Sequence, residues 1–562
     1  MDYRKNLCPL PWIELSANSD TTLRVCCNTY HGGHVLNEDN EYTSITSDET
    51  LVELFNKKTH RDLRVSMMKG ERPHFCKSCY DREDYGGFSI RQSYYEQYGH
   101  LIDDIVSKTN TDGTIDIENI NLKKIDLSLS NLCNLKCRMC SPLSSTALKK
   151  EFDDTNIDYS PETYDNAATK WRLNPGFKMI FEHHCSHVEN ILTTGGEPFL
   201  AKDHRDILRI LKSKNLQKNI KLSYHTSLTI LPEELIELWR GFKEININLS
   251  LEGIRETNDY ARHPSKWEEI MANLQTLASL KPQINITLNV HSCIQALTWP
   301  NHHQLLFFTA KLNQLDSNTA CLPYPIWLEN PAELSALNLP PALKEIGIRR
   351  NERALKYIKR LIKRPFSDYE QNIYDTYIAT FKRLREHQFN EEDFWNFKER
   401  VMIADEYRQH DITKVMPEFI PYFTPEDFEK LVKVKNIKKA KKLEESSYPY
   451  LMKNDFSAAE VILRNAYLID PTNSEVLYNL GYCLKNLNRG LEANNFFRQT
   501  LHLNPDHYFA LIEVGCDEMN HDHFEPALQL FNKALNFEPS FKLGETLLFI
   551  KQCNERKSQY KP

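Results

Sequence analysis

Three cysteines lie close together in the stretch NLCNLKCRMCSP, at Cys133, Cys137 and Cys140. Cysteine thiolates are the ligands of zinc and of iron–sulfur clusters, and closed structural sites normally use four of them. A set of three leaves one metal position free for another ligand, as catalytic metal sites do. The C-x3-C-x2-C spacing therefore indicates a metal centre with an open position, and by itself it leaves zinc and a conventional cluster as alternatives.

A second set of cysteines precedes this stretch. Cys8, Cys26, Cys76 and Cys79 supply four thiols, two of them in a C-x2-C pair, and Cys27 is an alternative to Cys26. Four thiols predict a closed site, for which zinc and an iron–sulfur cluster are both reasonable. In a reduced compartment, clustered cysteines of this kind indicate metal binding rather than disulfide bonds.

The elements that must position these residues are predicted from the alternation of short β-like runs and helical stretches over residues 123–325. The strand candidates are KKIDLSL, ENILTTG, IKLSYHT, ININLSL, INITLNV and NTACLPY. Such alternation is typical of βαβ units with a parallel sheet. We therefore expect an α/β fold, a partial (βα)6 TIM-like barrel with chemistry at the carboxyl ends of its strands.

Three motifs fall at those predicted strand ends. The cysteine stretch follows the first strand, TTGGEPFL ends the second, and LSLEG ends the fourth. Paired glycines allow a backbone to approach a ligand closely, and a carboxylate beside them can accept from an ammonium group.

The C-terminal part of the sequence repeats with a period of 34 residues. The repeated positions are Pro471, Pro505 and Pro539, then Gly481 and Gly515, then Ala459, Ala493 and Ala527, then Phe497 and Phe531. This pattern resembles tetratricopeptide repeats (TPRs), which are stacked pairs of antiparallel helices. It predicts an all-α solenoid over residues 440–562 with a terminal capping helix, and solenoids commonly bind a peptide or protein on their concave surface.

Two further regions complete the predicted organisation. Residues 1–122 form a small Cys-rich module, and residues 326–439 are charged and helical. The basic run from Arg349 to Arg364 is interpreted as a solvated helix face with an apolar stripe of Leu355, Ile358 and Ile362. A docking surface for an acidic peptide or a phosphate backbone is the alternative.

Composition narrows the class of protein. The chain has 562 residues, 41% of them hydrophobic, and a net charge of −7, which gives no global basic signal for nucleic acid. Its first residues have no apolar core of signal-peptide type, and no stretch has the length of a membrane span. We therefore expect a cytoplasmic protein without a membrane or nucleic-acid partner.

Taken together, C-x3-C-x2-C, GGEP and the SLEG strand end resemble the radical S-adenosylmethionine (SAM) superfamily. The resemblance implies that Cys133, Cys137 and Cys140 hold a [4Fe–4S] cluster whose open iron binds SAM. The other implied SAM contacts are Gly195, Gly196 and Glu197 at the methionine amino group, Ser250 near the ribose and carboxylate, Arg262 at the carboxylate, and Met139 near adenine.

The N-terminal cysteines resemble the auxiliary-cluster module, SPASM or the shortened twitch, of radical SAM maturases. Here the module precedes the barrel, and Thr21 stands where the family usually has Gly. The resemblance implies one auxiliary [4Fe–4S] cluster on Cys8, Cys26, Cys76 and Cys79, with zinc as the alternative.

These resemblances predict an enzyme that cleaves SAM to a 5′-deoxyadenosyl radical and removes hydrogen from a C–H bond. The predicted substrate is a peptide or protein recruited by the repeats, and the predicted reductant is a flavodoxin or ferredoxin. Two alternatives remain: radical modification of a sugar, nucleotide or other small molecule, and a non-catalytic TPR adaptor with structural or electron-carrying clusters.

Overall fold

The computed structural model describes residues 5–29, 33–45, 49–116, 120–155, 157, 175–537 and 543–559. The chain divides into two compact units, Met1–Tyr422 and Phe423–Pro562. No helix among the described residues is long and apolar enough to cross a membrane.

The first unit is built on one sheet of eight strands. They are β1 (Glu14–Ala17), β2 (Leu23–Arg24), β3 (Lys124–Ser128), β4 (Asn190–Thr194), β5 (Lys221–Thr226), β6 (Glu244–Ser250), β7 (Ile286–Ile294) and β8 (Tyr324–Trp327). Their order is β2-β1-β3-β4-β5-β6-β7-β8, and every neighbouring pair is parallel except β1 with β2. The predicted partial barrel of six parallel strands, β3 to β8, is confirmed.

Five of the six strand candidates coincide with strands of the sheet. The sixth, NTACLPY, is wrong, because β8 begins only at Tyr324. Within β7 the even positions from Ile286 to Ile294 are buried and the odd positions are half-buried. Successive side chains of a strand point to opposite faces, so one face of β7 packs under helices and the other faces the barrel interior.

Helices cover the sheet and join its strands. In the first unit they are α1 (Leu10–Ile13), α2 (Leu51–Phe55), α3 (Lys58–Met68), α4 (Lys77–Asp84), α5 (Ile90–Tyr98), α6 (Ile102–Ser107), α7 (Thr146–Thr155), α8 (Pro175–His183), α9 (Lys202–Ser213), α10 (Glu233–Trp239), α11 (Glu256–Ala261), α12 (Trp267–Leu280), α13 (His303–Leu315), α14 (Pro341–Leu361), α15 (Asp368–Glu386), α16 (Glu391–Arg408) and α17 (Ile412–Val415). In α9 the apolar residues Ile207, Leu208 and Leu211 are buried, as expected of a helix with one face on a sheet.

The N-terminal region contributes to the sheet as well as carrying cysteines. β1 lies parallel to β3 and extends that edge of the sheet, and β2 pairs with β1. Arg82 of α4 donates to the carbonyl of Pro325 in β8, at the opposite edge (2.8 Å). The Cys-rich region therefore contacts both edges of the partial barrel, which the sequence did not predict.

The basic run lies on α14 and the turn that follows it. Leu355, Ile358 and Ile362 are buried, as predicted for the apolar stripe. Arg350 and Arg364 form ion pairs with Glu418 and Glu370. These contacts support the interpretation as a solvated helix face.

The second unit is all helical, as predicted. Its helices are α18 (Pro425–Met452), α19 (Phe456–Ile469), α20 (Ser474–Asn486), α21 (Gly490–Leu503), α22 (Tyr508–Asn520), α23 (Phe524–Leu535) and α24 (Leu543–Gln559). α18 runs across the predicted boundary at residue 440, and α24 coincides with the predicted capping helix. Pro539, one of the repeated prolines, lies outside the described residues.

The recurring glycines of the repeats are explained by the recurring phenylalanines. A Cβ on Gly481 would lie 2.7 Å from the ring of Phe497, and one on Gly515 would lie 2.5 Å from the ring of Phe531. Each glycine thus lets the phenylalanine ring of the next, antiparallel helix pack directly on its backbone, and any side chain in place of the glycine would keep the two helices further apart.

We expect the Gly481→Ala substitution to lower the free energy of unfolding of the second unit by about 1–3 kcal/mol, because it overpacks the contact with Phe497. Urea unfolding, with hydrogen exchange to follow α20 and α21, measures the change. Gly490→Ala is the matched control, since a Cβ there meets nothing within 4 Å. Equal effects of the two substitutions would contradict the packing argument.

Candidate functional site

The cysteine loop lies at the carboxyl end of β3, the strand that precedes it. Two backbone hydrogen bonds attach the loop to the segment after α11: Lys136 N–H donates to the His263 carbonyl (2.6 Å), and Arg138 N–H donates to the Ala261 carbonyl (2.8 Å). Cys137 is buried, and Cys133 and Cys140 are half-buried. The structure therefore places the three thiols at the catalytic edge expected of a (βα) barrel.

Burial disfavours the thiolate form of all three cysteines. It raises the pKa of Cys133 and of Cys140 to about 12, with the neighbouring Cys137 adding to both shifts. It also raises the pKa of Cys137, against the opposing charge of Arg262. Without a metal these thiols are protonated at neutral pH, so a metal centre must displace their protons on binding.

Gly195 and Gly196 lie against the cysteine loop. The N–H of Gly196 donates to the Ser130 carbonyl (2.6 Å), and that of Glu197 donates to the Leu132 carbonyl (2.9 Å). At Gly195, where φ is +115°, a Cβ would lie 2.4 Å from the carbonyl oxygen of Ser130. At Gly196, a Cβ would lie 2.2 Å from the carbonyl oxygen of Leu132. The glycines thus allow close approach to the backbone of the loop, and the predicted contact of this turn with SAM stays a prediction.

Glu197 is buried, and its carboxylate accepts hydrogen bonds from residues at the end of β5. Its Oε1 accepts from Thr226 Oγ1 (2.7 Å), and its Oε2 accepts from the N–H and Oγ of Ser227 (3.1 and 2.8 Å). Burial raises the pKa of Glu197, and these hydrogen bonds oppose the shift. Glu197 therefore connects the end of β4 to the end of β5.

Arg262 contacts both the cysteine loop and a buried carboxylate. Its Nη1 lies 3.7 Å from Cys137 Sγ, and its Nη2 pairs with Glu252 of the SLEG motif (2.6 Å). Glu252 is fully buried and also accepts from Cys293 N–H and Gln295 Nε2, each at 2.9 Å. The positive charge of Arg262 is thus compensated within the protein and held beside the thiols.

The other predicted SAM contacts lie nearby along the chain. Ser250 ends β6 and pairs in register with His291 of β7, at the carboxyl edge of the sheet. Met139 is buried within the cysteine loop.

An ionic network that the sequence did not predict holds the loop from the side of α16. Arg138 donates to Asp405 (2.5 Å) and to the Tyr260 carbonyl (3.1 Å). Arg408, also on α16, pairs with the buried Glu151 of α7 (2.8 Å). The two ends of each pair are separated by more than 250 residues, so no local pattern in the sequence could show them.

The N-terminal cysteines come together from three separate stretches of chain. Cys8 precedes α1, Cys26 follows β2, and Cys76 and Cys79 lie at the start of α4. Burial and the neighbouring Cys76 and Cys79 raise the pKa of Cys8, and burial raises the pKa of Cys76 to about 12. The side-chain amide of Asn28 donates to Cys79 Sγ (3.4 Å), and its backbone N–H donates to Cys26 Sγ (3.4 Å).

Cys27 faces a different environment from Cys26. It lines the cavity of the barrel, and its sulfur lies within 4.8 Å of carboxylate oxygens of Glu14 and Asp126. Cys26 instead packs against the hydrophobic core together with Cys76. Cys27 thus borders the cavity, but its side chain also contacts that of Cys26 and lies near Cys79, so both cysteines lie beside the other N-terminal thiols.

Comparisons with known families agree with the geometry of the loop. Residues 127–291 match the Radical SAM superfamily. This radical SAM domain spans the cysteine loop, GGEP and SLEG, and a domain of this family implies a [4Fe–4S] cluster and SAM. Residues 450–513 match a tetratricopeptide repeat family. No curated protein matches the chain in a sequence comparison.

Similar solved structures include radical SAM and TPR proteins. Native anSMEcpe with bound AdoMet is 17% identical, with 44% of this chain and 64% of that chain covered and a TM-score of 0.30. SuiB from Streptococcus suis, bound to precursor peptide SuiA, is 13% identical, with 48% and 60% covered and a TM-score of 0.29. The first TPR of Spaghetti (RPAP3), bound to an HSP90 peptide, is 18% identical, with 22% and 94% covered and a TM-score of 0.20. At these values the likenesses carry no argument about function.

We expect Gly196→Ala to detach the GGEP turn from the cysteine loop, because its Cβ has no room beside the Leu132 carbonyl. Hydrogen exchange should become faster in peptides that cover residues 128–140 and 195–200. Gly490→Ala, in the second unit, is the control and should leave these peptides unchanged. Unchanged exchange in the Gly196 variant would contradict the role assigned to the contact.

We expect Asp405→Ala to lower the free energy of unfolding of the first unit by roughly 3–5 kcal/mol, because it leaves the buried Arg138 guanidinium without its counter-charge. Urea unfolding measures the change. Asp206→Ala is the matched control, since its pair with Arg209 is exposed and exposed pairs contribute about 0–1 kcal/mol. A loss no larger than that of the control would contradict the argument.

Proposed function

We propose that this chain is a radical SAM enzyme that modifies a peptide or protein recruited by its repeats. The observation that carries the proposal is the position of Cys133, Cys137 and Cys140. They lie in one short loop at the carboxyl ends of parallel strands, inside the segment that matches the radical SAM superfamily. Three thiols on such a loop fit a [4Fe–4S] cluster with one open iron.

The residues around the loop would hold the cluster and position SAM. When bound, the cluster supplies the electron that cleaves SAM and so generates the radical that removes hydrogen from a C–H bond. Arg262 holds a positive charge beside Cys137, and Glu252 fixes its orientation. Ser250 at the end of β6 and the GGEP turn after β4 would contact SAM beside the loop.

The walls of the barrel would exclude water from the reacting groups. The interior cavity has a volume of about 870 Å³, within the range of ligand sites. Its described lining contains no residue of the cysteine loop, but it reaches Thr194, which precedes the GGEP turn, and His291, the register partner of Ser250. A substrate group would bind at this end of the cavity.

We further propose that Cys8, Cys26, Cys76 and Cys79 hold one auxiliary [4Fe–4S] cluster. Their burial and mutual electrostatic effects support a shared centre. Because Cys27 lies beside Cys26 and lines the cavity, the auxiliary cluster would lie close enough to the substrate to accept an electron from it.

The repeats support a polypeptide substrate over a small molecule. Tetratricopeptide repeats present concave surfaces that bind peptides or proteins. A catalytic chain that carries them has a second site for a macromolecular partner.

We expect anaerobically reconstituted protein, reduced with dithionite in the presence of SAM, to form 5′-deoxyadenosine. Cys137→Ala should abolish this product, because it removes one of three cluster ligands. Cys516→Ala, at a half-buried cysteine of the repeats, is the control and should retain the product. Absence of 5′-deoxyadenosine from the unsubstituted protein would overturn the enzyme proposal in favour of an adaptor.

We expect the triple alanine variant at Cys133, Cys137 and Cys140 to retain iron and sulfide at the auxiliary site. A further Cys8→Ala substitution should remove both. Elemental analysis together with the absorbance of the iron–sulfur chromophore measures these contents. Retention of zinc alone in the triple variant would show that the N-terminal site is a structural zinc site.

A further inference from the structure

Most of the strand side chains that face the barrel cavity are polar, while its wall also carries apolar side chains such as Ile90, Leu192 and Ile326. Its strand side chains alternate between the helix-covered face and the interior, and the interior positions carry amides, a hydroxyl and a carboxylate. Those that line the cavity include Asp126, Asn190, Ser223, Asn246, Asn248 and Asn289. These side chains also bond to one another, as Asn246 Nδ2 does to Asn248 Oδ1 (3.3 Å) and Asn289 Nδ2 to Asn246 Oδ1 (3.0 Å). They form a polar surface inside the barrel that suits a ligand with hydrogen-bonding groups.

The charged side chains of the cavity are almost all paired. Four of its five basic residues have an acidic partner: Arg24 with Asp126 (3.3 Å), Lys124 with Glu14, Lys221 with Glu244 (2.8 Å) and Arg364 with Glu370 (2.6 Å). Arg82 is the exception, because no carboxylate of the described chain forms an ion pair with its guanidinium. The cavity wall thus carries one uncompensated positive charge.

The donors of Arg82 that a ligand could reach are those of its two Nη groups, because Nε is enclosed by the protein. An arginine side chain has five N–H donors. Nη2 of Arg82 donates to the Pro325 carbonyl, and Nε is buried without a hydrogen-bond partner. The guanidinium carbon lies 5.0 Å from the centre of the Tyr324 ring, which holds it at the cavity wall.

Arg82 contacts β8 near the carboxyl edge of the sheet, where the predicted SAM contacts lie. Tyr324 of β8 pairs in register with His291 of β7, which in turn pairs with Ser250 of β6. A group bound by Arg82 would therefore lie at the same height along the strands as Ser250, the predicted SAM contact.

The two histidines of the cavity do not alter this charge balance. The rings of His225 and His291 lie 5.0 Å apart, and both residues are half-buried. Burial lowers the pKa of His225 to about 4, and burial with the charges of His225 and Arg82 lowers the pKa of His291 well below its usual range. Both imidazoles are neutral at physiological pH and leave Arg82 as the site of positive charge.

We infer that Arg82 binds one anionic group of the substrate, a carboxylate or phosphate on a side chain of a polypeptide. This inference rests on the proposed function, since it concerns the substrate of the same barrel. A bidentate contact from the guanidinium satisfies its free donors, neutralises the charge and fixes the substrate beside the cofactor. An amide of the same shape would gain neither the charge pairing nor the second hydrogen bond.

Binding of labelled peptide pools to the reconstituted full chain tests the inference. Four pools share random flanking residues and differ in the fixed central residue, which is Glu, Gln, phosphoserine or Ser. In fluorescence anisotropy, the Glu pool should bind about tenfold more tightly than the Gln pool, or the phosphoserine pool about tenfold more tightly than the Ser pool. A gain of this size is what a hydrogen bond to a charged group contributes. The pair that shows the preference identifies carboxylate or phosphate as the source of the anion.

Arg82→Gln should abolish that preference, so that the two pools of the pair bind about equally. Arg82→Lys should retain part of the preference, because lysine keeps the positive charge but lacks the planar guanidinium. Lys221→Gln is the matched control, since Lys221 lines the same cavity but is paired with Glu244, and it should retain the full preference. Iron content, measured on every variant, ensures that the same reconstituted state is compared.

Equal binding of the four pools, or no binding by any of them, would overturn the inference. So would a preference that survives in Arg82→Gln. These outcomes are independent of the proposed function, which is tested by 5′-deoxyadenosine formation from the unsubstituted protein without peptide. Loss of that product with an unchanged peptide preference in Arg82→Gln would assign the residue to the cofactor instead.

Discussion

The contact between the GGEP turn and the cysteine loop is the constraint on which the site depends. Two backbone N–H groups, of Gly196 and Glu197, bond to carbonyls of the loop that carries the thiols. Neither glycine has room for a Cβ. Since a loop of this kind has no regular hydrogen bonds of its own, neighbouring backbone must satisfy its polar groups and so set its position.

The opposite side of the loop is held by side chains from distant sequence. Arg138 reaches Asp405, and Glu151 reaches Arg408, both on α16. Buried ion pairs contribute little net stability but fix geometry strongly, because breaking one leaves an unpaired buried charge. The charged helical region that follows the barrel therefore supports the cysteine loop, in addition to covering the sheet.

The N-terminal region connects the edges of the partial barrel. β1 and β2 extend the sheet beyond β3, and Arg82 bonds to β8 at the other edge. A cysteine-rich segment thus becomes part of the cavity wall, with Cys27 bordering the cavity beside Cys26. This arrangement joins the proposed auxiliary centre to the space where a substrate would bind.

The sequence by itself determined the features that depend on local pattern. Strand and helix periodicity indicated five of the six barrel strands, and the 34-residue period indicated the repeats, because both patterns reflect contacts between residues near in the chain. The thiols of the cysteine loop were also identifiable, since one loop supplies all three. The motif GGEP was identified as well, and the structure adds that its glycines pack closely on the cysteine loop.

Only the tertiary structure decided which partners satisfy the buried charges. The pairing of Arg262 with Glu252 compensates one cation at the site, while Arg82 has no acidic partner among the described residues. Pairing across tens to hundreds of residues follows from which strands and helices become neighbours, and sequence spacing carries no signal for it. The cysteine loop is therefore specified locally, whereas the grouping of the N-terminal thiols and the charge balance of the cavity are decided by the fold.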